Sequence, residues 1–411
     1  MKPRRYQLRK EAVGVALRHP WIFRDHLSSA ASVFRDGEPL RLVDGSNRVV
    51  GYGFYEASGA IAIRVVRRGP APPDAAWLRG QLAAAVARRA ELATRTDAIR
   101  LVHGESDGIP AVVVDRFADT LVVSSYAAGA DAFARYAAQA LDPRSGIAGG
   151  GDHAGFAGGA GGLPRGIDRT SPIVGPARHV VLRPAHLRHG PAEPARTLRG
   201  SPPELAHITE NGLSLAVDLA TGQKTGTYLD LRGLRREVAA APLTGCRVLN
   251  LFAYSGMLGR AAEVAGATTI VQVDASERAL AFAAAHHAGD PAKHTFVAAD
   301  VFAWLPTFTA EPFDLVVVDP PAMTSKAPQV PSVLAAYRKL YRAAARLVRP
   351  GGALVAACCT SRVERQVFHQ TVQGALGGPF TLHHEIPPEP DHPVGFAQAD
   401  YLKIAWWVRS A

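Results

Sequence analysis

Two adjacent thiols, Cys358 and Cys359, and three aspartates that each close a short apolar run, Asp274, Asp300 and Asp319, are the side chains whose types and spacing could do chemistry. A thiolate is a strong nucleophile even at the few per cent present at neutral pH, and nearby cations lower its ordinary pKa of about 8.5. An aspartate about 20 residues beyond the start of a strand, turn and helix unit can accept both hydroxyls of a ribose. Each residue also has a bland reading, since an Asp after a strand often forms a turn and a vicinal cysteine pair can be two small buried hydrophobes. The grouping says more than any member. Asp319 opens Asp319-Pro320-Pro321, and the thiols follow the next apolar run, 353–357, which Gly351-Gly352 introduces.

The elements that must position these groups form a regular series. Residues 247–252 (RVLNLF) read as a compact strand, 253–256 as a tight turn and 258–265 as a helix, so the turn backbone meets a ligand at the helix N-terminus and Gly256 lets it come close. Further strands are expected at 269–273, 294–297, 313–318 and 353–357, leading to Asp274, Asp300, Asp319 and the thiols. Ligands of open α/β sheets bind beyond the carboxyl ends of the strands, so Asn250, Gly256, Asp274, Asp300, Asp319 and a thiol should line one crevice. A dinucleotide oxidoreductase would show more of G-x-G-x-x-G and has no need of Asp-Pro-Pro. The absence of G-x-x-x-x-G-K-[ST] excludes a P-loop nucleotidase. The half from about His207 thus reads as a Rossmann-like domain built to bind a nucleoside-containing cofactor other than a dinucleotide, the expectation being S-adenosylmethionine and methyl transfer on the motifs given below.

With 411 residues, 47% of them hydrophobic and 20% charged, the chain has material for several globular cores. A net charge of +10 suggests a polyanionic partner, although a GC-biased, arginine-rich composition would give the same number. Three cysteines in no metal-ligand spacing fit a reducing compartment, Cys246 being structural. No apolar stretch is long enough to span a bilayer, so a cytoplasmic protein with no membrane partner is expected. No metal is expected either. His286-His287 read as part of a solvated helix, and His392-Pro393 as a turn. Residues 1–70 show short β runs at 40–44, 49–55 and 60–66. Residues 71–206 mix a helix over 74–94 with strands at 110–115 and 120–125. Eleven glycines between Gly146 and Gly175 predict a disordered insertion at about 144–178, and 207–411 form the third domain.

Larger motifs carry a family likeness. Gly222-Gln223-Lys224-Thr225-Gly226 with Tyr228, Asp230 and Arg232, then NLFAYSG at 250–256, VVVDPP at 316–321 and DHPV at 391–394, together resemble the bacterial large-subunit ribosomal RNA cytosine-C5 methyltransferases. Leu8-Arg9-Lys10 with His19-Pro20-Trp21-Ile22-Phe23 is similar to the start of that family's RNA-binding PUA domain, and 101–110 with Val114-Asp115-Arg116 to its central domain. The fold so implied is α/β, a Rossmann-like class I methyltransferase domain preceded by a small β-barrel PUA-like domain and a central α+β domain. The chain departs from the family at Ala322, where a Lys commonly follows Asp-Pro-Pro, and at Gly256-Met257, where a Gly pair is common.

The resemblance implies S-adenosylmethionine as cofactor, held by Gln223, Lys224, Asn250, Phe252, Tyr254, Gly256, Asp274, Asp300 and Asp319. The partner it implies is RNA, most directly large-subunit ribosomal RNA, and a homodimer is an arrangement that it alone suggests. The family's Ser-Cys-Ser-like turn aligns with Cys358-Cys359-Thr360, which points to Cys359 as nucleophile with Cys358 in reserve. C5 of cytosine is a poor nucleophile until a thiolate adds to C6. Asp319 would hydrogen-bond the N3 and amino edge of a cytosine flipped out of its stack. Two other readings stand beside this: a guanine or other RNA base methyltransferase of the same fold without a cysteine nucleophile, and a non-enzymatic RNA-binding ribosome-assembly factor.

Overall fold

The computed structural model describes residues 2–27, 33–141, 177–184, 195–324 and 326–411. The expected disordered insertion falls outside the described residues except for its last two positions. The chain forms two compact units, 1–229 with 390–396, and 230–389 with 397–411.

The first unit begins with β1 (Arg4–Gln7), α1 (Lys10–Arg18), β2 (Trp21–Phe23), β3 (Pro39–Val43), β4 (Val49–Tyr55) and β5 (Ile61–Arg68). These strands make a mixed sheet of order β1-β3-β4-β5-β2, whose alternating inward residues, among them Ile22, Leu40, Leu42 and Ile63, are fully buried. Next come α2 (Ala75–Ala87), β6 (Ala98–His103), β7 (Val112–Phe117), β8 (Thr120–Ser125), α3 (Asp131–Leu141), β9 (His179–Pro184) and β10 (Arg196–Arg199). They form a second five-stranded sheet, order β10-β9-β8-β7-β6, covered by the two helices. The helix expected over 74–94 stops earlier: Asp74 caps α2 by accepting from Trp77 N at 2.7 Å, and only a short 3-10 turn follows at Leu92–Thr94. A hairpin, β11 (Leu205–Glu210) and β12 (Leu213–Asp218), also belongs to this unit, pinned by the bridge between Thr96 and Glu210.

The second unit runs α4 (Arg232–Ala240), β13 (Arg247–Leu251), α5 (Met257–Val264), β14 (Thr269–Asp274), α6 (Glu277–His286), β15 (His294–Ala298), α7 (Val301–Trp304), β16 (Phe313–Val318), α8 (Val330–Ala345), β17 (Val348–Cys358), α9 (Arg365–Leu376), β18 (Phe380–Ile386) and β19 (Lys403–Arg409). Its seven strands take the order β15-β14-β13-β16-β17-β19-β18. The first five are mutually parallel, and β19 runs antiparallel to both of its neighbours. Strands β16 and β17 sit at the centre with both faces covered over 315–318 and 354–358, which is why these stretches read as unbroken apolar runs rather than alternating ones; β17 begins at Val348, five residues before the run expected at 353–357. The reversed β19 separates this sheet from the dinucleotide-binding order, in which a sixth parallel strand would follow the fifth. Strand order reverses between β13 and β16, and that switch point is where an open α/β sheet makes its crevice.

Candidate active site

Beyond β13 the backbone is forced into an unusual path. Phe252, Tyr254 and Gly256 adopt φ of 62°, 46° and 75°. Left-handed backbone is free for glycine but costs energy for the two aromatic residues, and such strain gathers at ligand-binding sites. The loop is held from two directions. Tyr254 N donates to Asp274 Oδ2 at 2.8 Å, and the Ser255 carbonyl meets Nδ1 of His287. His287 was expected on a solvated helix face; instead it closes α6 and is fully buried, because its ring is a support for this loop.

A polar chain lies beneath the loop. Asn250 Nδ2 donates to Gln272 Oε1 at 3.3 Å, Gln272 Nε2 meets His294 Nδ1 at 3.1 Å, and His294 Nε2 meets Glu263 Oε2 at 3.3 Å. Burial holds the His294 pKa below its ordinary value, so the ring is neutral and can serve as a link in this chain. Helix α5 rests directly on Gln272: a Cβ on Gly259 would lie 2.4 Å from its amide, so only glycine lets helix and strand approach this closely. Asn250 is buried beneath the loop, and its Oδ1 has no hydrogen-bond partner among the described residues.

Asp274 ends β14 with Oδ1 accepting from Ser276 N at 2.8 Å and Oδ2 from Tyr254 N. A carboxylate offers about four acceptor positions, so it retains capacity for two hydroxyls. Asp300 is exposed and caps α7, accepting from Phe302 N at 3.0 Å. Phe302 itself, 37% exposed, lies edge-on to Phe252 with centroids 5.4 Å apart. Loop backbone, spare carboxylate capacity and an aromatic pair together fit a purine nucleoside. The sequence reading passed over Phe302; its signal was an apolar residue two positions after a capping Asp, which also describes many core residues.

On the other side of the switch point Asp319 ends β16. Desolvation, with the Asp230 charge adding to it, pushes its carboxyl up to about 7. Asp230 is itself held by Tyr401, whose hydroxyl donates to Oδ2 at 2.6 Å. Cys359 Sγ donates to the Pro320 carbonyl at 3.4 Å, which places this thiol against the Asp-Pro-Pro turn. Its neighbour has a different surrounding: Cys358 is fully buried in the core between α8 and α9, 3.6 Å from the Tyr337 hydroxyl. Cys358 is the last residue of β17 and packs inward, whereas Cys359 follows the strand, half-buried against the Asp-Pro-Pro turn.

Behind the thiols is a group that sequence reasoning missed. Lys403, the first residue of β19, pairs with Cys358 across the ladder and is completely buried. Its ammonium donates to three carbonyls, Tyr401 at 3.0 Å, Thr360 at 3.1 Å and Asp400 at 3.3 Å, and desolvation holds its pKa below that of an exposed lysine. It ties the turn after Cys359 to the segment carrying Tyr401. Gln223 and Lys224, by contrast, are exposed residues of the first unit, in a loop where Gln223 Oε1 accepts from the Tyr228 hydroxyl.

The fold and this edge define the class: an S-adenosylmethionine-dependent methyltransferase carrying a PUA-like module. A family model described as S-adenosylmethionine-dependent methyltransferase matches residues 169–398, and one described as PUA-like domain matches 8–68. Among curated relatives, a ribosomal RNA large subunit methyltransferase of Deinococcus radiodurans is 32% identical over 415 residues, covering 94% of this chain and 93% of its own. Ribosomal RNA large subunit methyltransferase I of Klebsiella pneumoniae is 31% identical over 407 residues, covering 94% and 93%, and its Escherichia coli K12 counterpart 30% over 402, covering 94% of each. The chain belongs to this family of S-adenosylmethionine-dependent methyltransferases. Solved structures agree on the fold. A candidate S-adenosylmethionine-dependent methyltransferase from Streptococcus mutans superposes with a TM-score of 0.78 at 20% identity, covering 98% of this chain and 100% of that one. A methyltransferase complexed with SAH gives 0.79 at 20% identity with the same coverage. No helix among the described residues is long and apolar enough to cross a membrane.

Proposed function

We propose that this protein methylates C5 of a cytosine in large-subunit ribosomal RNA, with Cys359 as a covalent nucleophile. The substrate class rests on the relatives' names, and the base on the pairing of Cys359 with the Asp319-Pro320 turn. A cytosine edge presents an acceptor at N3 beside a donor at the amino group. A neutral carboxyl presents the complementary pair, an O–H to donate and a carbonyl to accept, and Asp319, its carboxyl pushed up to about 7, keeps the proton in a large share of molecules at neutral pH. S-adenosylmethionine, when bound, supplies the electrophilic methyl group; Asp274, the loop 252–256 and Phe302 would hold its nucleoside, and Asp300 the edge of its base. Gln223 and Lys224 are carried as cofactor contacts by the family motif alone.

Cys359 adds through Sγ to C6, and the C5–C6 electron pair moves to C5, which becomes nucleophilic while Asp319 steadies N3. Once C5 carries the methyl group, its proton passes to a base, the C5–C6 double bond re-forms, and the C6–S bond breaks to return the thiolate. Lys403 holds the Thr360 carbonyl, and with it the turn that aims Sγ. Such a substrate would be met in the cytoplasm.

The test uses ribosomal RNA transcribed without modification and containing 5-fluorocytidine. Fluorine at C5 cannot leave as a proton, so wild type should accumulate an adduct stable to denaturing gels, and Cys359→Ala should form none while losing at least about 10³-fold in transfer to ordinary RNA. Full transfer by Cys359→Ala would move the target to another base. An adduct in Cys359→Ala that disappears only with Cys358 would exchange the two roles.

A further inference from the structure

Helix α8 joins Asp319 to the strand bearing the cysteines, and its outer face has a composition that packing does not explain. The inner face, Val333, Tyr337, Leu340, Tyr341 and Ala344, is buried at the spacing an amphipathic helix requires. The outer face carries Arg338, Lys339, Arg342 and, just past the helix, Arg346, all exposed. No Asp or Glu occurs anywhere in 320–363, a segment with seven Lys or Arg. Arg346 is occupied by the carbonyls of Leu305 and Pro306 at 3.4 and 3.2 Å. Arg338, Lys339 and Arg342 have neither hydrogen bond nor ion pair among the described residues.

Arg338, Arg342 and Arg346 stand one above another at i, i+4 and i+8, with Lys339 three residues before Arg342. Like charges at these spacings repel and weaken a helix. The helix dipole rewards cations in the last turn, which accounts for Arg342 and Arg346 but not for Arg338 and Lys339 in the middle. A solvated face of ordinary composition would intersperse acids, as the pairs Arg365 with Glu385 and Arg349 with Asp314 do elsewhere in this unit. A self-repelling cation row with no internal anion is complementary to an external polyanion.

We infer that the outer face of α8 is a phosphate-backbone contact for the RNA substrate. The inference rests on the substrate class proposed above and adds to it a place on the methyltransferase unit itself. Contacts of this kind position the nucleic acid without reading its sequence, and their signature is salt dependence: each neutralised phosphate contributes roughly 0.7–0.9 to the slope of log affinity against log salt. The helix leaves directly from the Asp319 loop, so RNA lying along it would present a displaced base at the carboxyl edge of β16 and β17.

The full-length triple variant Arg338→Glu, Lys339→Glu, Arg342→Glu would be compared with wild type for binding to unmodified large-subunit ribosomal RNA across a salt series. S-adenosylmethionine affinity and the unfolding midpoint would serve as checks on the fold. The expected result is at least a tenfold loss of RNA affinity at low salt and a salt slope shallower by about 2, with cofactor affinity unchanged. Three single glutamine variants should each reduce the slope by a fraction of that. An unchanged slope in the triple variant overturns the inference, as would loss of binding to anionic lipid vesicles with RNA binding intact. Failure of the catalytic reading is separable, because Cys359→Ala should bind RNA like wild type whichever base is modified. Wild type that binds no ribosomal RNA would sink both.

Discussion

Desolvated aspartates occur in both units, and their surroundings set them to opposite uses. In the first unit Asp107 is fully buried and all its acceptor positions are filled: Oδ1 by Arg88 and Arg89, Oδ2 by Arg89 at 2.6 Å and His103 N at 2.6 Å. Arg89, equally buried, spends all five N–H donors, on Asp107 twice and on the carbonyls of Ala85, Arg100 and Asp391. Asp115 is likewise clamped by Arg100 through two parallel bonds of 2.8 and 2.9 Å. In the second unit Asp319 has no cation in an ion pair among the described residues, and desolvation with a like charge nearby raises its pKa instead. A carboxylate locked by guanidinium is a fixed part of the frame. One left without a cation keeps an exchangeable proton.

Removing the cation should break that contrast most severely. Arg89→Met leaves Asp107 buried with an incomplete shell and is expected to cost the protein about 3–5 kcal/mol in denaturant unfolding. The double variant Arg89→Met, Asp107→Leu should recover a good part of that loss. A small cost for the single variant would mean that Arg88 alone neutralises the carboxylate.

The opposite sign is expected at Asp319. Its raised pKa means that its contribution to stability is complete below the unfolded value near 4 and is lost as pH rises through about 7. Asp319→Asn should therefore abolish transfer and yet stabilise the protein at pH 8, by on the order of 1–3 kcal/mol, with the gain shrinking towards pH 5. Thermal unfolding at the two pH values decides it, and a destabilised variant at pH 8 would reveal a cation partner for the carboxylate. For wild type, loss of the Asp319 proton should depress transfer above about pH 7, against the rise that thiolate formation brings.

The smallest effect sharpens the comparison within one turn. Cys358→Ala should cost about 1 kcal/mol as a lost core contact and keep most of the transfer activity. Cys359→Ala should leave stability nearly unchanged and remove transfer. Activity assays and unfolding midpoints on the two variants separate packing from chemistry at adjacent positions.

The succession of strands β13 to β17 along the chain and the acids at their ends were legible because the core of each strand is short, apolar and followed by a turn residue, a local pattern, although β17 extends further back than its apolar run. Strands β18 and β19 were not read, since a reversed strand is placed by its ladder partners and nothing in 403–409 announces a direction. The preference for Cys359 came from the family turn rather than from pattern: alternation says that Cys358 and Cys359 differ, and the packing against α8 takes up Cys358. Lys403 and Arg89 carried no signal in the sequence, because a lysine or arginine becomes an interior group only through carbonyls and carboxylates supplied by distant parts of the chain. The buried His287 was misread for the same reason.

The segment 390–396 lies within the second half of the chain yet completes the first unit, where Asp391 Oδ2 accepts from Arg100 N at 3.0 Å and its carbonyl receives Arg89. During synthesis, β6 and α2 leave the ribosome some 290 residues before that segment exists. Until then the Arg100 amide and one Arg89 donor lack their final acceptors. The amino-terminal unit therefore cannot finish folding until most of the methyltransferase unit has been synthesised, a delay in the usual order of domain-by-domain folding from the amino terminus. A chain arrested before residue 390 should carry a looser first unit, more open to proteases, and neither unit can be cut free at a single peptide bond.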